Sequence, residues 1–170
     1  LQTKGSSTLS AESMPFLVRS LGGRRPRWRP VVASGMASGD LLGNIERLKD
    51  ELRRSRYDGS INTTALASGD PVGFLPLLHF VMLRSSLPVA TWITESGYKL
   101  SAKTDQRFLE AVYRLVREQL GYRHKLTCKQ LLSPGFAEHK VLFVIDVTQA
   151  FRAKHIELCR ERAKRVKPAA

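Results

Sequence analysis

Two His-x-x-x-Cys pairs, His124/Cys128 and His155/Cys159, set a ring nitrogen and a thiol four residues apart, the spacing of neighbours on one helix face. Together they offer two nitrogens and two thiolates, a donor set that zinc accepts. Structural zinc sites draw more often on close Cys-x-x-Cys pairs, and Thr127 opens a new helix between the first two donors. The pairs therefore read as surface histidines and half-buried thiols, with no metal expected. Covalent catalysis by either thiol would need a base and an oxyanion-binding loop, and no Gly-rich turn lies beside Cys128 or Cys159. Gly69-Asp70-Pro71 is too short to cradle a phosphate and fits a helix start instead, Asp capping free N–H groups and Pro occupying the first helical position. Glu138 and His139 are adjacent on a helix and point about 100° apart, so they do not cooperate. His79, inside the most apolar segment, reads as a hydrogen-bonded core histidine. No catalytic residue and no cofactor emerge, and an enzyme is not expected.

Lys99, Lys103, Arg107, Arg114, Lys125, Lys129 and Lys140 form the constellation best suited to chemistry, which is polyanion binding. Lys and Arg number 28 against 15 Asp and Glu, a formal +13 with a pI near 10.4. That balance implies an anionic partner: nucleic acid, anionic lipid, or an acidic polymer such as a microtubule. The charge is unevenly spread. Residues 1–35 hold six basic residues and one acid, residues 36–151 hold 15 and 12, and Arg152 to Ala170 hold seven and two. Residues 1–35, with the run Arg24-Arg25-Pro26-Arg27-Trp28-Arg29-Pro30, read as a flexible basic arm, 36–160 as one helical domain, and 161–170 as a basic tail. Two cysteines are too few for a disulfide framework, and no apolar run reaches the roughly 18 residues of a membrane span.

The elements that must position these residues are helices. Leu41, Ile45, Leu48 and Leu52 mark one apolar stripe, with Ser38 as the expected N-cap. Phe74 to Leu83 is apolar on nearly every face and should be a central buried helix. Leu87-Pro88 opens another through Ile93, with Trp92 placed toward the core and Ser96-Gly97 as its stop. Thr104 to Leu120 carries a stripe of Phe108, Leu109, Val112, Leu115, Val116 and Leu120 opposite Arg107, Glu110, Arg114 and Arg117. Thr127 and Gln130 have capping-box spacing for a short helix through Leu132. Val141 to Ile145 is β-prone, but no turn residue interrupts Phe136 to Val166, so length favours one long helix. The fold class is all-α.

Several local patterns occur together: Met36-Ala37-Ser38-Gly39-Asp40-Leu41, Gly69-Asp70-Pro71, Leu75-Pro76, and Asp105 through Arg107-Phe108 into Ala111-Val112-Tyr113. Leu126-Thr127, Lys129-Gln130, and Gly135-Phe136-Ala137-Glu138 with Lys140 follow. In this order and spacing they resemble the N-terminal domain of the centrosomal protein 44 family over about residues 36–160. The resemblance implies a calponin-homology-like helical domain, microtubule binding, residence at centrioles, and a role in building the centriole wall and in centriole-to-centrosome conversion. It also implies a centriolar WD-repeat protein as a partner. The resemblance implies that family members begin near the methionine matching Met36, so residues 1–35 are expected to be an extension, such as a translated upstream exon, whose charge says nothing of the domain.

Two other classes stay open from the residues alone. An interaction module would dock a protein through an apolar groove containing Trp92 or Tyr98. A nucleic-acid binder would use the Arg-Trp-Arg run of the arm, though no helix-turn-helix, RRM or finger signature accompanies it.

Overall fold

Six helix starts among the described residues are built from a side-chain oxygen facing a free backbone N–H. The computed structural model describes residues 39–101 and 104–166, so the arm, Ser38 and Lys103 lie outside the described residues. Helix α1 (Leu41–Arg54) is capped by Asp40, two residues later than the expected Ser38, and the Asp40 Oδ1 accepts from Gly43 N at 2.9 Å. Helix α3 (Pro71–Leu83) is capped as expected by Asp70, which accepts from Val72 N at 2.9 Å, with Pro71 in the first turn. Between them lies α2 (Thr63–Ser68), one short helix the periodicity did not announce. Then come α4 (Leu87–Glu95), α5 (Asp105–Leu120), α6 (Cys128–Leu132) and α7 (Ala137–Val166). The capping box of Thr127 and Gln130 forms with both bonds present. Every regular element among the described residues is an α-helix.

The β-prone run sits inside α7, where burial on all sides accounts for its composition: residues 140 to 148 are buried without a break. Phe74, Phe108, Phe143 and Phe151 are wholly enclosed, each contributing roughly 1.5–3 kcal/mol by leaving water. Helices α1, α3 and α4 pack against α7, and α6 packs on α5. Glu138 at the start of α7 accepts from Gly39 N and Asn44 Nδ2, while Gln149 and Arg152 further along α7 meet Glu51 near the end of α1. The two helices therefore run side by side in the same direction. No single helix among the described residues is long and apolar enough to cross a membrane.

Two of the sequence motifs meet. A Cβ on Gly69, which has φ +70°, would lie 2.2 Å from the carbonyl oxygen of Gly135, and Gly135 N donates to Ser68 O at 3.2 Å. Lys140, one helical turn beyond, reaches into this junction. Its Nζ donates to the carbonyls of Gly69 (2.6 Å) and Ser133 and lies 5.5 Å from the Phe74 ring centroid. Burial pushes its pKa down, opposed by the Asp70 carboxylate. At 1% exposure Lys140 cannot offer its ammonium to a partner, which corrects its placement in the basic set. Residues 161–165 of the basic segment are exposed on the last turns of α7, which runs to Val166 as the expected single long helix.

Candidate polyanion-binding surface

Helix α5 presents the basic set because its stripe of Phe108, Leu109, Val112, Leu115 and Val116 is buried, which turns Arg107, Arg114 and Arg117 outward. Five of the seven expected residues, Lys99, Arg107, Arg114, Lys125 and Lys129, are exposed. Arg114 lies over the ring of buried Tyr98, 5.0 Å from its centroid, and Tyr98 donates its hydroxyl to Glu118 at 2.5 Å. Lys99 follows Tyr98 directly, so the anchoring of that ring also fixes the backbone that carries Lys99. Packing of α6 on α5 brings Lys129 to the wall of a hollow of about 550 Å³ shared with Gln106 and Glu110. A neighbouring hollow of about 670 Å³ is walled by Arg114, Arg117 and Arg123, and Glu110 and Cys128 border both.

Arg117, which the sequence placed on the polar face of α5 but outside the basic set, and Arg123, which it did not single out, border the same hollow as Arg114. Arg117 could have been found three residues after Arg114 on the same helix face, and Arg123 two residues after the helix stop Gly121, where the chain turns back. Arg114 and Arg117 each lie 3.9 Å from Glu118, and both side chains stay more than half exposed. Such contacts are worth little in water and leave the guanidiniums available.

Beneath this surface the other candidate groups are held by structural bonds. His124 Nδ1 accepts from Leu126 N at 3.1 Å and Nε2 faces the carbonyl of His139 at 3.3 Å, which fixes a neutral ring. Desolvation lowers its pKa to about 4. The Tyr113 hydroxyl donates to Leu126 O at 2.5 Å. Burial, followed by the Glu110 carboxylate, pushes the Cys128 thiol up and so weakens it as a nucleophile. His155 meets Ser86 Oγ at 2.7 Å and Cys159 at 3.7 Å. No group of three or more His, Cys, Asp or Glu placed to hold a metal occurs among the described residues. His79 stacks on Phe108, ring centroids 3.7 Å apart, in place of the hydrogen-bonded setting expected for it. Trp92 is half-buried against Phe151 and beneath Lys154, and Tyr98 is 4% exposed. Of the two rings expected to mark an apolar docking groove, Tyr98 is thus enclosed and Trp92 keeps part of its surface exposed.

The fold defines the class: an all-α domain packed around α7, with exposed basic residues on α5 and α6. The chain belongs to the family described as "Centrosomal spindle body, CEP44", whose model matches residues 40–165. It is 39% identical over 123 residues to "Centrosomal protein of 44 kDa" of Homo sapiens and 34% identical over the same length to that of Xenopus tropicalis. Each match covers 72% of this chain and 32% of the relative. The chain thus spans about a third of the length of the curated relatives it matches.

Proposed function

We propose that this domain is the microtubule-binding module of a centrosomal scaffold protein, resident at the centriole and acting in centriole wall assembly and centriole-to-centrosome conversion. The observation that carries the reading is the exposed set Lys99, Arg107, Arg114, Lys125 and Lys129, gathered on α5, α6 and their flanking loops in a chain of this family. Lys103, two residues before α5 in the sequence, is proposed to belong to the same set. Tubulin is the partner by charge, its acidic surface complementing the basic one. A calponin-homology-like arrangement and a centriolar WD-repeat partner follow from the resemblance.

Co-pelleting with microtubules tests it. Binding should weaken as salt rises, because charges separated by more than about 10 Å are screened at 0.1 M. It should be lost when Arg107, Arg114, Lys125 and Lys129 are changed together to Glu, with the helical circular dichroism and melting transition retained. Unchanged pelleting by the folded quadruple variant would remove this face from the interaction.

A further inference from the structure

We infer that the hollow between the C-terminal ends of α1 and α3 and the middle of α7 is a binding site for a phosphate monoester, separate from the α5–α6 face. The hollow holds about 380 Å³, and Arg54, Arg56, Arg152 and His155 line it together with an apolar wall of Val81 and Phe151. Pockets of this volume take small ligands or a single side chain of a partner.

Two of the guanidiniums are set in place by one buried carboxylate. Glu51 is 4% exposed, and its Oε1 accepts from Arg54 Nη1 at 3.0 Å and Gln149 Nε2 at 3.1 Å. Its Oε2 lies 3.1 Å from Arg152 Nη1 but off the line of that group's N–H bonds. Arg152 consequently meets Glu51 as an ion pair without a hydrogen bond to it. Each guanidinium carries five N–H donors in a planar fork, and one carboxylate occupies few of the donors of Arg54 and Arg152. Three guanidiniums against one carboxylate leave two positive charges at the hollow. A phosphate monoester, with a charge of about −1.5 to −2 at neutral pH, matches that remainder, whereas a second carboxylate would neutralise half of it. The hydroxyls of Ser55, Ser85 and Thr148 donate to carbonyls of their own helices, so the guanidiniums are the donors an oxyanion would meet. Val81 and Phe151 offer a surface for the carbon side of the ester.

The backbone at Arg56 is the independent observation. Helix α1 closes with Tyr57 N donating to Leu52 O and Arg56 N donating to Arg53 O, and Arg56 has φ +59°. Helices α2 and α4 close with the same pair of bonds, and both place glycine at the left-handed position, Gly69 and Gly97. A β-carbon at that position strains the backbone, and glycine is the residue such a helix end prefers. Arginine therefore stands where stability favours glycine, and its side chain lines the hollow while forming no ion pair with any described residue. Backbone strain accepted beside a charged hollow is the pattern of a binding residue.

Arg56→Gly provides the test, because it removes the guanidinium and relieves the helix end together. Calorimetric titration of the full chain with inorganic phosphate and with a phosphoserine peptide, at constant ionic strength, should show binding that Arg56→Gly weakens about tenfold or more. The melting temperature of the unliganded variant should equal or exceed that of the parent. Acetate and the unphosphorylated peptide should not bind. Tighter binding of the phosphopeptide than of inorganic phosphate would assign the site to a phosphorylated protein segment, and the reverse order to a free phosphate. Undiminished phosphate binding by Arg56→Gly, or equal binding of acetate and phosphate, would overturn the inference.

Discussion

Lys140 Nζ and the Gly69 carbonyl oxygen belong to residues 71 positions apart in the chain and lie 2.6 Å apart in space. The bond joins the turn between α2 and α3 to the first turns of α7, and the same ammonium also holds the Ser133 carbonyl. Motifs that look separate in the sequence, Gly69-Asp70-Pro71 and Gly135 to Lys140, are thus the two halves of one joint.

Lys140→Met keeps most of the side-chain volume and leaves the two carbonyls without their donor. The expected cost is about 3 kcal/mol, since hydrogen bonds from charged groups are worth roughly 1.5–3 kcal/mol each and buried acceptors are left bare. Thermal melting should fall by roughly 10 °C in a domain of this size. Lys129→Met, at an exposed position, should stay within about 0.5 kcal/mol of the parent. Equal melting temperatures for the two variants would contradict the joint.

Gly69→Ala and Gly97→Ala both place a β-carbon on a left-handed residue, but only the first meets an obstacle. The added atom at Gly69 would come 2.2 Å from the Gly135 oxygen, while that at Gly97 meets nothing within 4 Å. Chemical denaturation should show about 1–2 kcal/mol lost at Gly97, the conformational penalty alone, and a clearly larger loss at Gly69.

Asp70→Ala removes the cap from Val72 N and a carboxylate facing the Lys140 ammonium. A loss of about 1 kcal/mol is expected from the cap, within the usual 0.5–2 range, with melting lowered by a few degrees. Microtubule pelleting in the cold should be unchanged, because Asp70 lies outside the proposed face. A tenfold loss of pelleting with unchanged melting would make Asp70 a contact residue.

His124 makes stability depend on pH in a defined direction. Its folded pKa is lowered by burial from 6.5 to about 4, so between these values the unfolded chain binds the extra proton and stability falls as the pH is lowered. The loss on acidification from pH 7 to about 4 is on the order of 3 kcal/mol. His79, also lowered by desolvation, acts in the same direction. Asp146, raised by burial despite the Tyr122 hydroxyl at 2.8 Å, acts in the opposite direction above its ordinary value of 3.8. Melting curves from pH 7 to 4.5 should therefore be visibly flatter for His124→Gln than for the parent.

Most of the architecture was legible because its signals are local. Asp70-Pro71, Thr104, the Thr127–Gln130 box and the stripe from Phe108 to Val116 are set by backbone groups within one or two turns. Helix α2 was missed because Thr63–Ser68 offers a single buried apolar residue, Leu66, and six residues are too few to show a period. Its two ends, Asn62 as N-cap and Gly69 as stop, were the available signals. Lys140 was misplaced because charge alone suggests water. The contrary sign was its position at the head of an apolar run too continuous to have an exposed face. The arginines of the hollow beside Glu51 escaped notice because the end of α1 supplies Arg54 and Arg56 while α7 supplies Arg152 from a distant part of the chain.

The parallel course of α1 and α7 has a mechanical consequence. Thirty helical residues at 1.5 Å each make α7 a strut about 45 Å long. Tension applied at residue 39 and at residue 166 would draw the two helices past one another in shear. The bonds of Glu138, Glu51 and Gln149 would then bear the load together instead of parting one after another, as they would in a peeled antiparallel pair. Resistance to pulling depends on the unfolding rate, not on equilibrium stability. Under such a load the parallel geometry would place these inter-helix bonds in shear rather than in sequential peeling.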